Sequence, residues 1–353
     1  MDKIINDSYR NKRTEEYISF WKSNISNGNK NILYIDIPFC VQRCEFCIFD
    51  SNILTHKSEL DKYIENRIIP QIEIFNDVFC GVAVDVLYFG GGTASLLSEE
   101  SISLICEKLN CFKNIEVKAF EAHPDTMTVS KMELLLEKGF NYFSFGIQTF
   151  DELTLKKINR VYVTPQHIKN LVDIAHSYNA VVSVDLISYL TEWDSNELQV
   201  TARDISILVR TVIPDCITIH MNYKKYRPTK EVIDLSDLIK MTLLSTDYFT
   251  NIPEIYDQSN PIDLGCNTHN IYHGDFIKIC KAKNYNCSGP GNLLEDQNVY
   301  SIGGFGCRMP YSYIGGQRQW YICGEGKEFD VYEVKYNTLC SNTEIMNRHK
   351  NNK

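Results

Sequence analysis

No stretch of this sequence approaches the roughly 18 uninterrupted apolar residues that a membrane helix needs. Its start, Met1 to Arg13, is polar and charged and lacks the apolar run of a signal peptide. Both absences make the cytoplasm the expected location, with no membrane partner. Positive charge is also scarce. The 353 residues carry a formal net charge of -9, which argues against a nucleic acid or an anionic membrane as partner. No internal repeat, low-complexity run or long linker interrupts the chain. Cysteine, by contrast, is plentiful. An odd count of 13 cannot all pair within the chain, and a reducing compartment disfavours structural disulfides. Many of these thiols read as small buried hydrophobes, and some as metal ligands.

At 44% hydrophobic and 23% charged, the composition supports a normal core. Short apolar runs rich in β-branched and aromatic residues predict strands at 31–37, 84–89, 115–121, 142–147, 181–187 and 216–220. Amphipathic stretches at 58–76, 99–109, 129–138, 164–177 and 196–212 predict helices between them. This alternation points to βα units around a parallel sheet. Six such units ending near residue 250 fit an α/β fold, a partial TIM-like barrel, since the closed eight-unit form takes about 250 residues. Beyond residue 250, Gly, Asn, Cys and aromatic residues dominate and helical periodicity fades. The expected organisation is an N-terminal extension (1–30), a partial (β/α)6 barrel (31–250) and a smaller C-terminal region covering the substrate (251–353).

The first predicted strand runs directly into Cys40-Val-Gln-Arg-Cys44-Glu-Phe-Cys47. Three cysteines spaced CxxxCxxC can ligate three irons of a [4Fe–4S] cube and leave the fourth iron open. A structural zinc site normally asks for four ligands, so a zinc knuckle or three incidental thiols is the competing reading.

The flanking residues carry a resemblance. Tyr34-Ile-Asp-Ile-Pro-Phe-Cys40 through Cys47-Ile-Phe-Asp-Ser51 resembles the opening signature of the oxygen-independent coproporphyrinogen oxidase group of the radical S-adenosylmethionine (SAM) superfamily. That group includes haem chaperones and class C radical SAM methyltransferases. Further motifs follow in the group's order: Leu87-Tyr-Phe-Gly-Gly-Gly-Thr-Ala, Glu121-Ala-His-Pro-Asp, Phe143-Ser-Phe-Gly-Ile-Gln-Thr-Phe150 with Leu155 to Arg160, and Val184-Asp-Leu-Ile187. Together they cover roughly residues 31–220.

The resemblance implies a radical SAM barrel with a [4Fe–4S] cluster on Cys40, Cys44 and Cys47. It implies one SAM on the open iron, contacted by Tyr34, Gly91 and Glu121. A second SAM would meet Phe46, Gly92, Thr93, Gln148, Arg160 and Asp185. Glycines admit close backbone approach, Glu121 suits ribose hydroxyls, and Arg160 suits a carboxylate fork. The implied chemistry is reductive cleavage of SAM to a 5′-deoxyadenosyl radical. No flavin or nicotinamide signature is visible, so a flavodoxin or ferredoxin is the expected electron donor.

Departures from the group's pattern matter. Asp36 stands at its histidine, Ala94 at a proline, and Phe49 where the oxidase has a fourth cysteine. The loop 188–193, ending in Trp193, replaces a Gly-Leu-Pro-Gly stretch. Cys307 lies in a glycine-rich C-terminal segment that resembles one near the group's active site. It reads as a hydrogen donor or as a packed thiol. Cys266, Cys280, Cys287 and Cys323 match no trusted auxiliary-cluster spacing, and His269 and His273 suit solvent better than metal. The expected activity is that of a class C methyltransferase using the second SAM, or of a close relative that modifies a small aromatic or heterocyclic substrate by radical chemistry. The alternatives are coproporphyrinogen decarboxylation and haem chaperoning with little turnover.

Overall fold

The computed structural model describes residues 9–12, 19, 22, 30–47, 51–79, 81–112, 115–191, 195–221, 229–250, 276–281, 297–302, 312–314, 318–323 and 330–334. The chain divides into two compact units: Met1–Val41, Phe49–Lys118 and Leu293–Lys353 form one, and Gln42–Ile48 with Ala119–Asn292 the other.

The first unit is organised on β1 (Lys30–Ile37), whose last seven residues are all buried. Ile32, Leu33, Tyr34, Ile35 and Ile37 form a near-continuous apolar run, as a strand covered on both faces requires. On one side β1 pairs in parallel with β2 (Val86–Gly91), bringing Ile37 opposite Gly91. On the other side it pairs in parallel with Gln297–Ile302. The sheet then continues antiparallel through Ser312–Ile314, Arg318–Cys323, Asp330–Val334 and Tyr9–Lys12.

One helical stretch of this unit is built unusually. Helix Lys57–Tyr63 passes into a π-helical turn, Ile64–Ile68, and then helix Ile69–Val78. Its buried residues Leu60, Ile64, Ile68 and Ile72 repeat every fourth position, whereas an α-helix turns every 3.6 residues. The wide turn takes up the drift and holds all four on one face. Phe75 and Phe79 then meet the ring of Tyr300 edge-on, at 6.0 and 4.7 Å between centroids.

The second unit repeats the strand–helix pattern. Residues 119–122 of β3 (Val117–Ala122), then β4 (Tyr142–Gln148), β5 (Val181–Ser188) and β6 (Cys216–Met221) pair side by side in parallel. Strand Phe276–Cys280 adds antiparallel to β6. Helix starts carry the hydroxyl and carboxylate caps that the sequence offers: Thr128, Asp151 and Thr164 accept from Lys131, Thr154 and His167 backbone N–H groups. Phe120, Phe143, Phe145, Leu135, Ile168 and Val184 are fully buried, each contributing about 2–3 kcal/mol.

The α/β class with a parallel sheet stands as the sequence predicts. Several strands run one to two residues further than expected, to Gly91, Ala122, Gln148, Ser188 and Met221. Helix Thr229–Leu243 was not anticipated, although its spacing is amphipathic. Residues after 250 supply strands to both units.

Candidate functional site

In the first unit the ends of β1 and β2 meet closely. Gly92 N–H donates to the carbonyl of Ile37 at 2.8 Å. Gly91 has φ of 109°, and a Cβ there would collide with the Asp36 carboxylate and with Ile37 backbone atoms at 2.8 Å. A Cβ on Gly92 would meet Phe39 O at 2.7 Å and Cys40 Sγ at 3.0 Å. Thr93 Oγ1 donates to the same sulfur at 3.4 Å. The glycines therefore let a bare backbone turn lie against Cys40. Tyr34 is buried beneath this turn's strand and stacks on Tyr88, 5.3 Å between centroids and 14° from parallel.

In the second unit residues 42–47 are strapped to the turn at 158–160. Glu45 N–H donates to Ile158 O at 3.1 Å, and Gln42 Nε2 to Asn159 O at 2.8 Å. Asn159 adopts φ of 54°, which asparagine tolerates better than most residues, and its Nδ2 donates to Arg43 O at 3.0 Å. Arg160 follows directly. Its Nη1 donates to Cys44 Sγ at 3.4 Å, and its Nη2 to the carbonyl of Gly146 on β4. The guanidinium lies 5.9 Å from the centre of the Phe46 ring. Phe46 itself packs on Leu155, Ile158, Ile187 and Leu190. Arg160 also lines a cleft of about 290 Å³ with Gln42, Glu152, Lys156, Asn159, Val161 and Tyr162.

The other expected residues occupy strand ends. Gln148 ends β4 at φ of 73°, where the pairing to β5 shifts register. Its side chain covers Gly146 so closely that a Cβ there would stand 2.8 Å from Nε2. Asp185, on β5, accepts from Ser144 Oγ at 3.1 Å. Glu121 lies near the end of β3, half-buried.

Three residues of this neighbourhood were not singled out by sequence. His123 follows Glu121 by two positions, and its Nδ1 accepts from Asp125 N–H at 3.1 Å. Burial first, and the charge of Arg160 second, push its pKa down to about 3, so the ring stays neutral. Thr149 donates to the buried Asp204 at 2.5 Å. Burial pushes Asp204 up to about 6. His123 stood inside a quoted motif. Asp204 lies 55 residues from Thr149 and gave no local signal.

None of Cys40, Cys44 and Cys47 is in a disulfide, and all three are half-buried. Among the described residues no three Cys, His, Asp or Glu side chains gather as ligands of one ion. The hydroxyl on Cys40 and the guanidinium on Cys44 are donors of the kind that stabilise ligating sulfur. The residues present fit the cluster. Cys307, Trp193, Cys266, Cys287, His269 and His273 lie outside the described residues. Cys280 is buried and disulfide-bonded. No described helix is long and apolar enough to cross a membrane.

Known proteins resemble this chain in sequence and in fold. Residues 34–205 match the family model described as the Radical SAM superfamily. The chain is similar to the "Heme chaperone HemW" of Buchnera aphidicola, 26% identical over 76% of this chain and 78% of that protein. It is 30% identical to the "Oxygen-independent coproporphyrinogen III oxidase" of Pseudomonas aeruginosa, across 45% of this chain but only 36% of the oxidase. The solved coproporphyrinogen III oxidase (HemN) of Escherichia coli superposes with a TM-score of 0.67, over 93% of this chain and 75% of that one. At 17% identity the superposition shows a shared fold.

Proposed function

Because residues 34–205 match the family model of the Radical SAM superfamily, we propose that this chain cleaves SAM at a [4Fe–4S] cluster held by Cys40, Cys44 and Cys47. Its substrate or cargo we take to be a haem- or porphyrinogen-type tetrapyrrole. The observation that carries the SAM reading is the contact of Gly92 with Cys40, where a glycine backbone is the only group that fits beside a free thiol. When bound, a reduced cluster supplies the electron that breaks the sulfonium of SAM.

This chain's own residues supply binding and order. The Gly91–Gly92 turn presents backbone without side chains, Glu121 is the proposed ribose acceptor, and Tyr34 a further proposed SAM contact. His123 stays uncharged beside Arg160 and adds no second cation. A flavodoxin or ferredoxin remains the proposed electron donor.

The tetrapyrrole reading draws on the relatives, whose names speak of haem and coproporphyrinogen. It displaces the class C methyl transfer preferred from sequence. That reading needs a second SAM on Phe46, Gly92, Thr93, Gln148, Arg160 and Asp185. Two of these are already engaged: Phe46 packs on Leu155, Ile158, Ile187 and Leu190, and Arg160 bonds Cys44 and Gly146.

The test is anaerobic reconstitution with iron and sulfide, then SAM and dithionite, with counts of 5′-deoxyadenosine and S-adenosylhomocysteine. The Cys40→Ala, Cys44→Ala, Cys47→Ala variant is the control. Parallel titrations use haemin and coproporphyrinogen III. We expect 5′-deoxyadenosine from the parent protein alone, and either a stoichiometric haemin complex or decarboxylated product. A full cluster with no 5′-deoxyadenosine sinks the radical reading. S-adenosylhomocysteine formation without tetrapyrrole binding restores methyl transfer.

A further inference from the structure

Arg160 is committed along the edge of its guanidinium and on one face. Nη2 is fixed on the Gly146 carbonyl of β4, Phe46 stacks beneath, and Nη1 is left aimed at Cys44 Sγ at 3.4 Å. Its partner is anchored as well. The Gln42, Arg43 and Glu45 bonds to residues 158 and 159 hold the Cys44 loop to the very turn that carries Arg160. Geometry of this kind is not that of a mobile side chain waiting to clamp a carboxylate.

We propose that Arg160 is a positioning residue that sets the reduction potential of the cluster, through its N–H···S bond to Cys44. The inference rests on the cluster reading above. An N–H group directed at a ligating thiolate withdraws charge from the sulfur and stabilises the more negative, reduced state. The guanidinium adds a positive charge. Both effects act in one direction and raise the potential. Arginine is required because one side chain must serve a carbonyl and a sulfur together, which a fork of N–H groups does and a lysine ammonium does less well.

The experiment is a potentiometric titration of the reconstituted full-length protein, followed by electron paramagnetic resonance, without SAM. Parent, Arg160→Gln and Arg160→Lys proteins are compared after iron and sulfide contents are shown equal. At a fixed potential Arg160→Gln should hold about tenfold less reduced cluster, which is about 59 mV for one electron. Arg160→Lys, which keeps the charge and loses the fork, should fall between. Should the glutamine variant fail to load, the lysine variant carries the comparison. Unchanged midpoints in loaded variants, with weakened SAM binding instead, overturn the proposal and return Arg160 to a carboxylate contact. A parent protein that assembles no cluster overturns the reading beneath it, and this one with it.

Discussion

A methyl group on Gly92 would stand 3.0 Å from the sulfur of Cys40 and 2.7 Å from the carbonyl oxygen of Phe39. Backbone cannot yield at that distance as a side-chain tip can. Gly92→Ala should therefore displace the Cys40 loop and at least halve iron incorporation, with helix content by circular dichroism retained. Gly81→Ala is the control. It sits at φ of 80° with nothing within 4 Å of its Cβ. Backbone strain of about 1–3 kcal/mol is its expected effect, with iron content unchanged. Equal iron in all three proteins would remove the steric argument.

Asn159 supplies both a left-handed backbone and a side-chain bond to Arg43. Asn159→Gly keeps the first and loses the second. Its unfolding free energy should fall by about 1 kcal/mol. Its reconstituted cluster should bleach faster in a chelator challenge, because the Cys44 loop is tied by one bond fewer. Asn159→Val, strained at this φ, should be worse on both measures. Identical bleaching rates in all three would show that the strap does not hold the cluster loop.

Asp204 predicts an unusual pH response. Burial lifts it from 3.8 to about 6, so the native state keeps a proton that the unfolded chain releases earlier. Between those values the native state binds more protons, and stability falls as pH rises through the window. A shift near two units corresponds to roughly 3 kcal/mol. Asp204→Asn, which still accepts from Thr149, should gain on the parent protein in urea unfolding at pH 7.5 relative to pH 4.5. Parallel curves at the two pH values would sink the idea.

His123 acts with the opposite sign. The unfolded imidazole takes a proton near 6.5 and the native one only near 3. As pH falls through that interval, the unfolded chain binds more protons and stability drops, by about 1 kcal/mol per pH unit. His123→Gln should flatten the acid limb of a melting-temperature profile between pH 6.5 and 4.5. A variant as acid-sensitive as the parent protein would place the titration elsewhere.

Much of this was legible in the sequence because buried parallel strands announce themselves as apolar runs. The runs at 31–37, 142–147 and 181–187 match observed strands within one residue at each end. Strand ends were less legible, since Gly91 and Gln148 belong to their strands by hydrogen bonding rather than by apolarity. The three cysteines and the Gly92–Thr93 turn could be tied together by the resemblance alone. The role of Arg160 could not, because its bond to Cys44 spans 116 residues and depends on where β4 leaves the Gly146 carbonyl. The π-helical turn at Ile64–Ile68 was readable in principle from the fourfold spacing of its buried residues. The strands after residue 250 were not: they are short and lie in a segment whose composition suggests loops.

The parallel pairing of Gln297–Ile302 with β1 has a consequence for synthesis. During translation the strand that leads into Cys40 acquires β2 early, but its other edge waits for a neighbour more than 200 residues downstream. At elongation rates of about 5–20 residues per second, the stretch from Ile37 to Gln297 keeps that edge open for roughly 13–52 s. An unpaired, mostly apolar strand edge invites pairing with other chains for as long as it lasts. Metal delivered to the nascent chain would meet a half-built sheet, so iron loading and yield should both improve when few chains are made at once and chaperones are plentiful.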